Sequence, residues 1–316
     1  MTTPTIPKKG IEDVLQHIIP QIERHIESQA SAQTKRPFVL GLTGLQGSGK
    51  STWTDALVKT LRDQHKYNTI NVSLDDLYFD HHELVQVRGR NPQNRLLQTR
   101  GQPGTHDTAL AVSFFKDLLD SSKEILIPAF DKSKFGGEGD RADQDSWPRV
   151  PAGTSVDIVV FEGWCVGFQP LGEESIRCRW NEAQDKKAMS GYLTETLRDH
   201  AVESLLQVNS NLREYSEMFM GSRHFDFLVH LDTDDLVNVY EWRIQQEHAL
   251  RKRTNRGMTD EAVVKFVRGY MPAYELYLDQ LRRGFFKSQH RDAEQEKGQL
   301  RVVLDKERKI LKITLA

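Results

Sequence analysis

Gly44-Leu45-Gln46-Gly47-Ser48-Gly49-Lys50-Ser51 is the stretch whose reading decides the fold. It fits G-x-x-x-x-G-K-[ST], the P-loop, a glycine-rich turn whose backbone N–H groups cradle phosphates. Its flanks fit too. Phe38-Val39-Leu40-Gly41-Leu42 before it is a short apolar, strand-like segment, and Thr52 to Arg62 after it carries Trp53, Leu57, Val58 and Leu61 at helical spacing. A strand, a glycine turn and a helix N-terminus make an anion site, because free amides and the helix dipole both favour negative charge. The reading predicts that a nucleoside triphosphate binds, with Lys50 reaching the β/γ-phosphates and the Ser51 hydroxyl ligating Mg²⁺. What is done with the nucleotide must be read elsewhere.

The chain has 316 residues, long for one domain and short for two. Forty-three Lys and Arg against 45 Asp and Glu leave a net charge of −2, which gives no pull towards nucleic acid or a membrane surface. Cys165 and Cys178 match no zinc or redox spacing and form no disulfide framework, so a reducing compartment is expected. No apolar run approaches membrane-spanning length. Met1-Thr2-Thr3-Pro4-Thr5 lacks the features of a signal peptide, and Thr314-Leu315-Ala316 is no peroxisomal address. The expectation is a soluble, cytoplasmic monomer with a small-molecule substrate.

Upstream of the loop, Ile11 to Ser28 carries Ile11, Val14, Leu15, Ile18, Ile19, Ile22 and Ile26 at helical spacing, with Pro20 expected to kink or divide the helix. Downstream, Thr69 to Leu74 reads as a strand ending in Asp75-Asp76-Leu77-Tyr78. Ligands of open α/β sheets sit beyond the carboxyl ends of the strands, which puts two acids near the phosphates. An Asp there can equally end the strand or cap a helix. His81 to Thr99 is polar, and Gly101-Gln102-Pro103-Gly104 marks a turn before Thr105-His106-Asp107. Thr108 to Leu119 is an amphipathic helix, Ile125 to Pro128 a short strand, and Phe130 to Arg141 a long charged, glycine-rich loop. Such loops are functional or disordered.

Val156 to Phe161 is a continuously apolar run, as a central parallel strand should be, and it ends in Glu162. An acid in that place downstream of a P-loop holds Mg²⁺ or its water shell, or else merely begins a turn. Cys165 to Lys187 reads as irregular, and Ala188 to Tyr215 as one or two helices. Phe225 to Leu231 is a further strand, after which Asp232-Thr233-Asp234 is expected to cap a helix bearing Arg243, Arg251, Lys252 and Arg253. Arginines on a lid can neutralise a transferring phosphoryl group, and Arg243 is the candidate because it lies on the helix body. Pro272 interrupts the next helix, and Leu300 to Leu304 and Ile310 to Leu315 form strands joined at Asp305 to Arg308.

No Asn-Lys-x-Asp guanine reader and no Leu-Ser-Gly-Gly-Gln signature occurs. A small-molecule kinase instead predicts an acid after the second strand, an insert beside it, a Walker B-like acid and an arginine lid, and all four occur in order. Ser73-Leu74-Asp75-Asp76-Leu77-Tyr78 resembles the strand-end motif of the uridine kinase and pantothenate kinase superfamily. Gly101 to Asp107, Phe130-Asp131-Lys132-Ser133, Gly137 to Arg141, Phe161-Glu162-Gly163-Trp164, Trp242 to His248 and Gly257 to Glu261 resemble the D-glycerate 3-kinase family of plants and fungi. The similarity spans about Pro37 to Leu281. Phe130 stands where family members tend to have Tyr, and Leu77 where Phe is common.

The resemblance implies a three-layer α/β/α fold with a mainly parallel central sheet. Residues 1–36 would be an N-terminal helix packing on one kinase domain of 37–316, with an insert at about 79–150 and a lid at about 233–283. It implies transfer of the ATP γ-phosphate to the 3-hydroxyl of D-glycerate. Gly44, Gln46, Gly47, Ser48, Gly49, Lys50, Ser51 and Thr52 would bind ATP, and Ser51, Asp75 and Glu162 would serve Mg²⁺. Asp75 would be the general base, with Asp76 as fallback, and Lys50 and Arg243 would assist transfer. Asp76, Tyr78, Arg100, His106, Asp107, Asp131, Lys132 and Arg141 would form the acceptor pocket, with Arg100 or Arg141 on the glycerate carboxylate.

Overall fold

The computed structural model describes residues 6–32, 35–185, 191–287 and 298–316. In chain order its elements are α1 (Lys8–Ser28), β1 (Phe38–Gly44), α2 (Lys50–Asp63), β2 (Thr69–Ser73), α3 (His81–Arg90), α4 (Thr108–Asp117), β3 (Ile125–Leu126), β4 (Phe130–Asp131), β5 (Asp140–Arg141) and β6 (Arg149–Val150). They continue with β7 (Ile158–Gly163), α5 (Glu173–Asp185), α6 (Val202–Tyr215), β8 (Phe227–Asp232), α7 (Val237–Thr254), α8 (Asp260–Arg268), α9 (Met271–Arg283), β9 (Gly298–Leu304) and β10 (Ile310–Leu315).

Among the described residues, six strands form the central sheet in the order β10-β9-β8-β1-β7-β2. Five are parallel and β10 returns antiparallel along the edge. Every residue of β1 and of β8 is buried, and so are Ile158 to Phe161 of β7. Strands covered on both faces must be apolar throughout, which is why these runs lack alternation. Helix α2 lies along β7 and β2, and α1 lies against α2. Phe161 of β7 stacks with Phe225 at 5.9 Å and meets Phe115 of α4 at 5.3 Å. The result is a three-layer α/β fold. Small ladders β3–β6 and β4–β5 stand apart from the sheet and shape the insert.

The connector after α1 is fastened by charge. Buried Asp226 accepts from both arms of the Arg36 guanidinium at 2.8 and 2.7 Å and from the Val39 amide at 2.8 Å. Bidentate Arg–carboxylate pairing is directional as well as strong, so the helix is held in one orientation on the sheet.

Several local expectations fail for tertiary reasons. Helix α1 is continuous through Pro20. A proline inside a helix costs about 3 kcal/mol, and the fully buried Val14, Ile18 and Ile22 hold the helix on both sides of it. Strand β2 stops at Ser73, because Leu74–Leu77 forms a 3₁₀ turn closed by a Ser73–Asp76 capping box. Residues 81–90 make helix α3, capped by Asp80, whose side chain accepts from the Glu83 amide. Helix α5 occupies much of the stretch expected to be irregular. Asp232 caps nothing: it ends β8, and α7 begins only at Val237. The carboxylate of Asp232 is instead taken by Arg282 at 2.8 Å and Arg301 at 2.6 Å. Helix α9, expected to belong to the lid, buries Met271, Tyr274, Leu276, Tyr277, Leu278 and Leu281 and is part of the core. The expected polar segment between Phe286 and Gly298 falls mostly outside the described residues.

Candidate active site

The glycines of the P-loop answer steric demands. Gly47 and Gly49 have φ of +82° and +94°, a region that L side chains avoid. A Cβ on Gly47 would also come within 2.7 Å of Trp242 Cβ, and one on Gly44 within 2.8 Å of Leu231 Cβ. The Gln46 amide donates to the Tyr274 hydroxyl at 3.0 Å, so core helix α9 holds the start of the loop. The hydroxyl of buried Ser48 has no partner among the described residues. Lys50 opens α2 and donates to the Gly44 carbonyl at 3.0 Å. Ser51 is exposed on the next position, and Thr52 is half-buried.

Sheet register brings the acids to this loop. Glu162 on β7 lies opposite Leu42 on β1 and Ser73 on β2, beside the turn that carries Asp75. Burial pushes the Lys50 ammonium down in pKa, while the charges of Glu162 and Asp75 oppose it. Burial pushes the Glu162 carboxyl up, against Lys50. The Asp75 carboxylate accepts from the Tyr78 hydroxyl at 2.9 Å and the Lys132 ammonium at 2.5 Å. Burial alone would raise its pKa, but the charge and hydrogen bond of Lys132, aided by Tyr78, hold it below the ordinary value. Lys50, Asp75, Glu162 and Lys132 therefore form one interacting set of charges.

Asp76 has a different surrounding. Its carboxylate accepts from the Ser73 amide at 3.3 Å and from the Phe130 amide at 3.2 Å, tying β2 to β4. Burial pushes its pKa up to about 6. Both oxygens serve the backbone, so this acid fixes the turn that aims Asp75.

The remaining expected residues separate into two groups. Tyr78 stacks on His106 at 4.3 Å, and His106 Nδ1 lies 2.9 Å from the Tyr215 hydroxyl. Burial lowers the imidazole pKa to about 3, which keeps it neutral, and its buried Nε2 has no partner among the described residues. Arg100 lies over the Phe130 and Tyr78 rings at 5.5 and 5.9 Å and donates to the carbonyls of Gly137 and Glu138. These groups flank Asp75. Asp107 and Arg141 are spent on each other at 2.8 Å, while Asp107 also caps α4 through the Leu110 amide. Arg141 lines a separate open groove of about 640 Å³ with His81, Phe135 and Trp147. Asp131 turns back on the Ser133 amide and hydroxyl at 2.8 and 2.6 Å.

Arg243 on α7 pairs with buried Glu247 at 3.1 Å and lies 5.2 Å from the Phe266 ring centroid. Phe266 in turn meets Tyr270, and Tyr270 meets Trp164 edge-on at 4.7 Å. The Trp164 indole donates to the Gly101 carbonyl at 2.9 Å. One aromatic chain thus joins helices α7 and α8, the loop after β7 and the insert. Sequence reading assigned no role to Tyr274, Tyr270 or Trp164, although Trp164 closes the Phe161–Trp164 stretch that resembles the family.

A P-loop at the end of the central strand, two strand-end carboxylates beside its lysine and a helix crossing the loop define the chain as a small-molecule kinase of the P-loop class. The uncharacterized kinase mug58 of Schizosaccharomyces pombe is 40% identical over 272 residues, covering 84% of this chain and 90% of that protein. The solved structure of a D-glycerate 3-kinase from Cryptococcus neoformans superposes with a TM-score of 0.83 at 30% identity, covering 98% of this chain and all of that one. The chain belongs to the D-glycerate 3-kinase family. The chloroplastic D-glycerate 3-kinase of Arabidopsis thaliana is 34% identical over 265 residues, which span 83% of this chain but only 52% of the plant protein. No protein-family model matches the chain. The protein is an ATP-dependent kinase, a phosphotransferase with an alcohol group of a small molecule as acceptor. Among the described residues no helix is long and apolar enough to cross a membrane.

Proposed function

We propose that this kinase transfers the γ-phosphoryl group of ATP to the 3-hydroxyl of D-glycerate, giving 3-phosphoglycerate and ADP. The observation that carries the reading is the full-length match to a solved D-glycerate 3-kinase. It is supported by a cationic, aromatic acceptor side next to Asp75. In the reaction, Asp75 takes the hydroxyl proton, the acceptor oxygen bonds to the γ-phosphorus, and the bond from that phosphorus to the bridging oxygen breaks. Phosphoryl transfer needs mainly positioning and charge neutralisation. Lys50 and the amides from Gly47 to Ser51 hold the phosphates, and Arg243 neutralises the transferring group. Arg100 and Lys132 receive the acceptor carboxylate, because Asp107 already engages Arg141. Tyr78 and His106 wall the pocket.

Mg²⁺ suits the same site. Among the described residues no cluster of three His, Cys, Asp or Glu side chains forms a metal cage, but Mg²⁺ takes few protein ligands beside substrate phosphates and water. Ser51, Asp75 and Glu162 supply hard oxygen donors, and the half-buried carboxyl of Glu162, its pKa raised by desolvation, is suited to a cation. When bound, the ion neutralises charge on the phosphates. We also propose that the enzyme works as a cytoplasmic monomer without nucleic-acid partners, a reading supported by the balanced charge.

A coupled ADP-release assay over D-glycerate, L-glycerate, pantothenate and uridine tests the acceptor. Turnover is expected with D-glycerate. Turnover with pantothenate or uridine alone would overturn the glycerate assignment and leave the kinase standing.

A further inference from the structure

The turn between β9 and β10 sits on the P-loop. It is a tight, self-bonded turn: the Asp305 amide donates to the Lys309 carbonyl at 3.0 Å, and the Asp305 carboxylate accepts from the Glu307 and Lys309 amides at 2.9 and 2.8 Å. Arg308 within it has φ of +62°. A residue with a Cβ is strained there by roughly 1–2 kcal/mol, and glycine or asparagine is the ordinary occupant. The turn therefore holds an arginine against its backbone preference.

The side chain shows what the position supplies. Arg308 Nε donates to the Gly47 carbonyl at 2.7 Å, Nη2 to the Trp242 carbonyl at 2.8 Å and Nη1 to Gln245 Oε1 at 2.7 Å. The guanidinium lies 5.7 Å from the Trp242 ring centroid, and the Trp242 indole donates back to the Lys306 carbonyl at 2.9 Å. Three segments distant in sequence thus meet at one peptide of the phosphate loop. The Gln246 side-chain amide also donates to that carbonyl, at 3.5 Å, so among the described residues Arg308 is its shorter and charged partner. Gly47 itself has no side chain and adopts a conformation open mainly to glycine.

We propose that Arg308 is a positioning residue of the nucleotide site. It fixes the Gly47 peptide, and with it the direction of the amides that follow, before the triphosphate arrives. A preorganised loop does not lose that freedom on binding, which favours affinity. The guanidinium also adds a positive charge beside the cradle. The C-terminal hairpin then belongs to the ATP site although it contains no nucleotide motif. This inference rests on the reading that the P-loop receives ATP.

The test uses the full chain with R308G, R308N, R308K and, as a control for the loop itself, K50A. Glycine and asparagine relieve the backbone strain while removing the guanidinium. R308G and R308N are expected to stay folded and to melt near the wild-type temperature, because relief of backbone strain offsets part of the lost hydrogen bonding, yet to bind ATP about tenfold more weakly, the scale of one charged hydrogen bond. Their KM for ATP should rise while KM for the acceptor stays unchanged, and R308K should recover part of the loss. Wild-type ATP affinity in R308G, with K50A weakened, overturns the proposal. A loss of affinity that merely follows melting temperature across the three variants overturns it as well. Undiminished binding by K50A instead overturns the underlying reading of the loop.

Discussion

The Lys132 ammonium lies 2.5 Å from Oδ2 of Asp75, an ion pair between the insert and the turn after β2. The pair keeps the carboxylate charged in a place where burial would favour the neutral acid. On the proposed reading, an acceptor carboxylate that takes Lys132 frees an Asp75 oxygen for the hydroxyl proton.

We predict that Asp75→Asn binds ATP nearly as wild type but turns over at least about 10²-fold more slowly, the scale of losing a general base. Nucleotide titration and the ADP-release assay read the two effects separately. Turnover near wild type would remove Asp75 from that role.

Lys132→Met removes the charge that opposes burial, so the Asp75 pKa rises. The acidic limb of the pH–rate profile should move to higher pH, because the base stays protonated further up the scale. KM for an anionic acceptor should rise, and KM for ATP should not. An unmoved acidic limb would show that the ion pair does not set the charge state of the base.

Glu162→Gln should raise the Mg²⁺ concentration for half-maximal activity by about 10- to 100-fold, the range for groups that support metal ligands. Excess Mg²⁺ should restore much of the rate. A variant with wild-type Mg²⁺ dependence would place Glu162 outside the metal's surroundings.

Glu275 offers a test of stability remote from the chemistry. Its carboxylate accepts from the Thr196 hydroxyl at 2.8 Å and from the Thr196 amide, and burial pushes its pKa up to about 7. The folded value lies above the unfolded one, so the contribution of the neutral acid is complete at low pH. It is lost as pH rises from the unfolded value through about 7. Glu275→Gln keeps an acceptor oxygen and cannot ionise. It should melt like wild type near pH 4 and exceed it at pH 8, by roughly 1–3 kcal/mol. Equal melting at both pH values would contradict the shift.

Much of the fold could be read from local patterns. The P-loop, the buried strands β1, β7 and β8 and the acid closing β7 each declare themselves within a few residues. What escaped depends on partners far along the chain. Asp232 looked like a helix cap because Arg282 and Arg301, which claim it, lie 50 and 69 positions later. Asp76 stood as the fallback base and a pocket residue because its bond to the Phe130 amide has no local trace. Arg141 had the right chemistry for a carboxylate, but only the fold reveals that Asp107 occupies it. Helix α3 was missed because it buries only Leu84 and so carries almost no apolar period. Arg308 was invisible for the same reason as the first two: its contact with Gly47 spans 261 positions.

The insert closes its ladders β3–β6 and β4–β5 upon itself and meets the turn that carries Asp75 through contacts that include Lys132 on Asp75, the Phe130 amide on Asp76 and the Asp107 amide on the Leu77 carbonyl. On the proposed reading it is a cassette. Substitutions confined to it can change which alcohol is phosphorylated while the ATP half of the enzyme is inherited intact. A lineage could thus acquire a new metabolite without reinventing phosphoryl transfer.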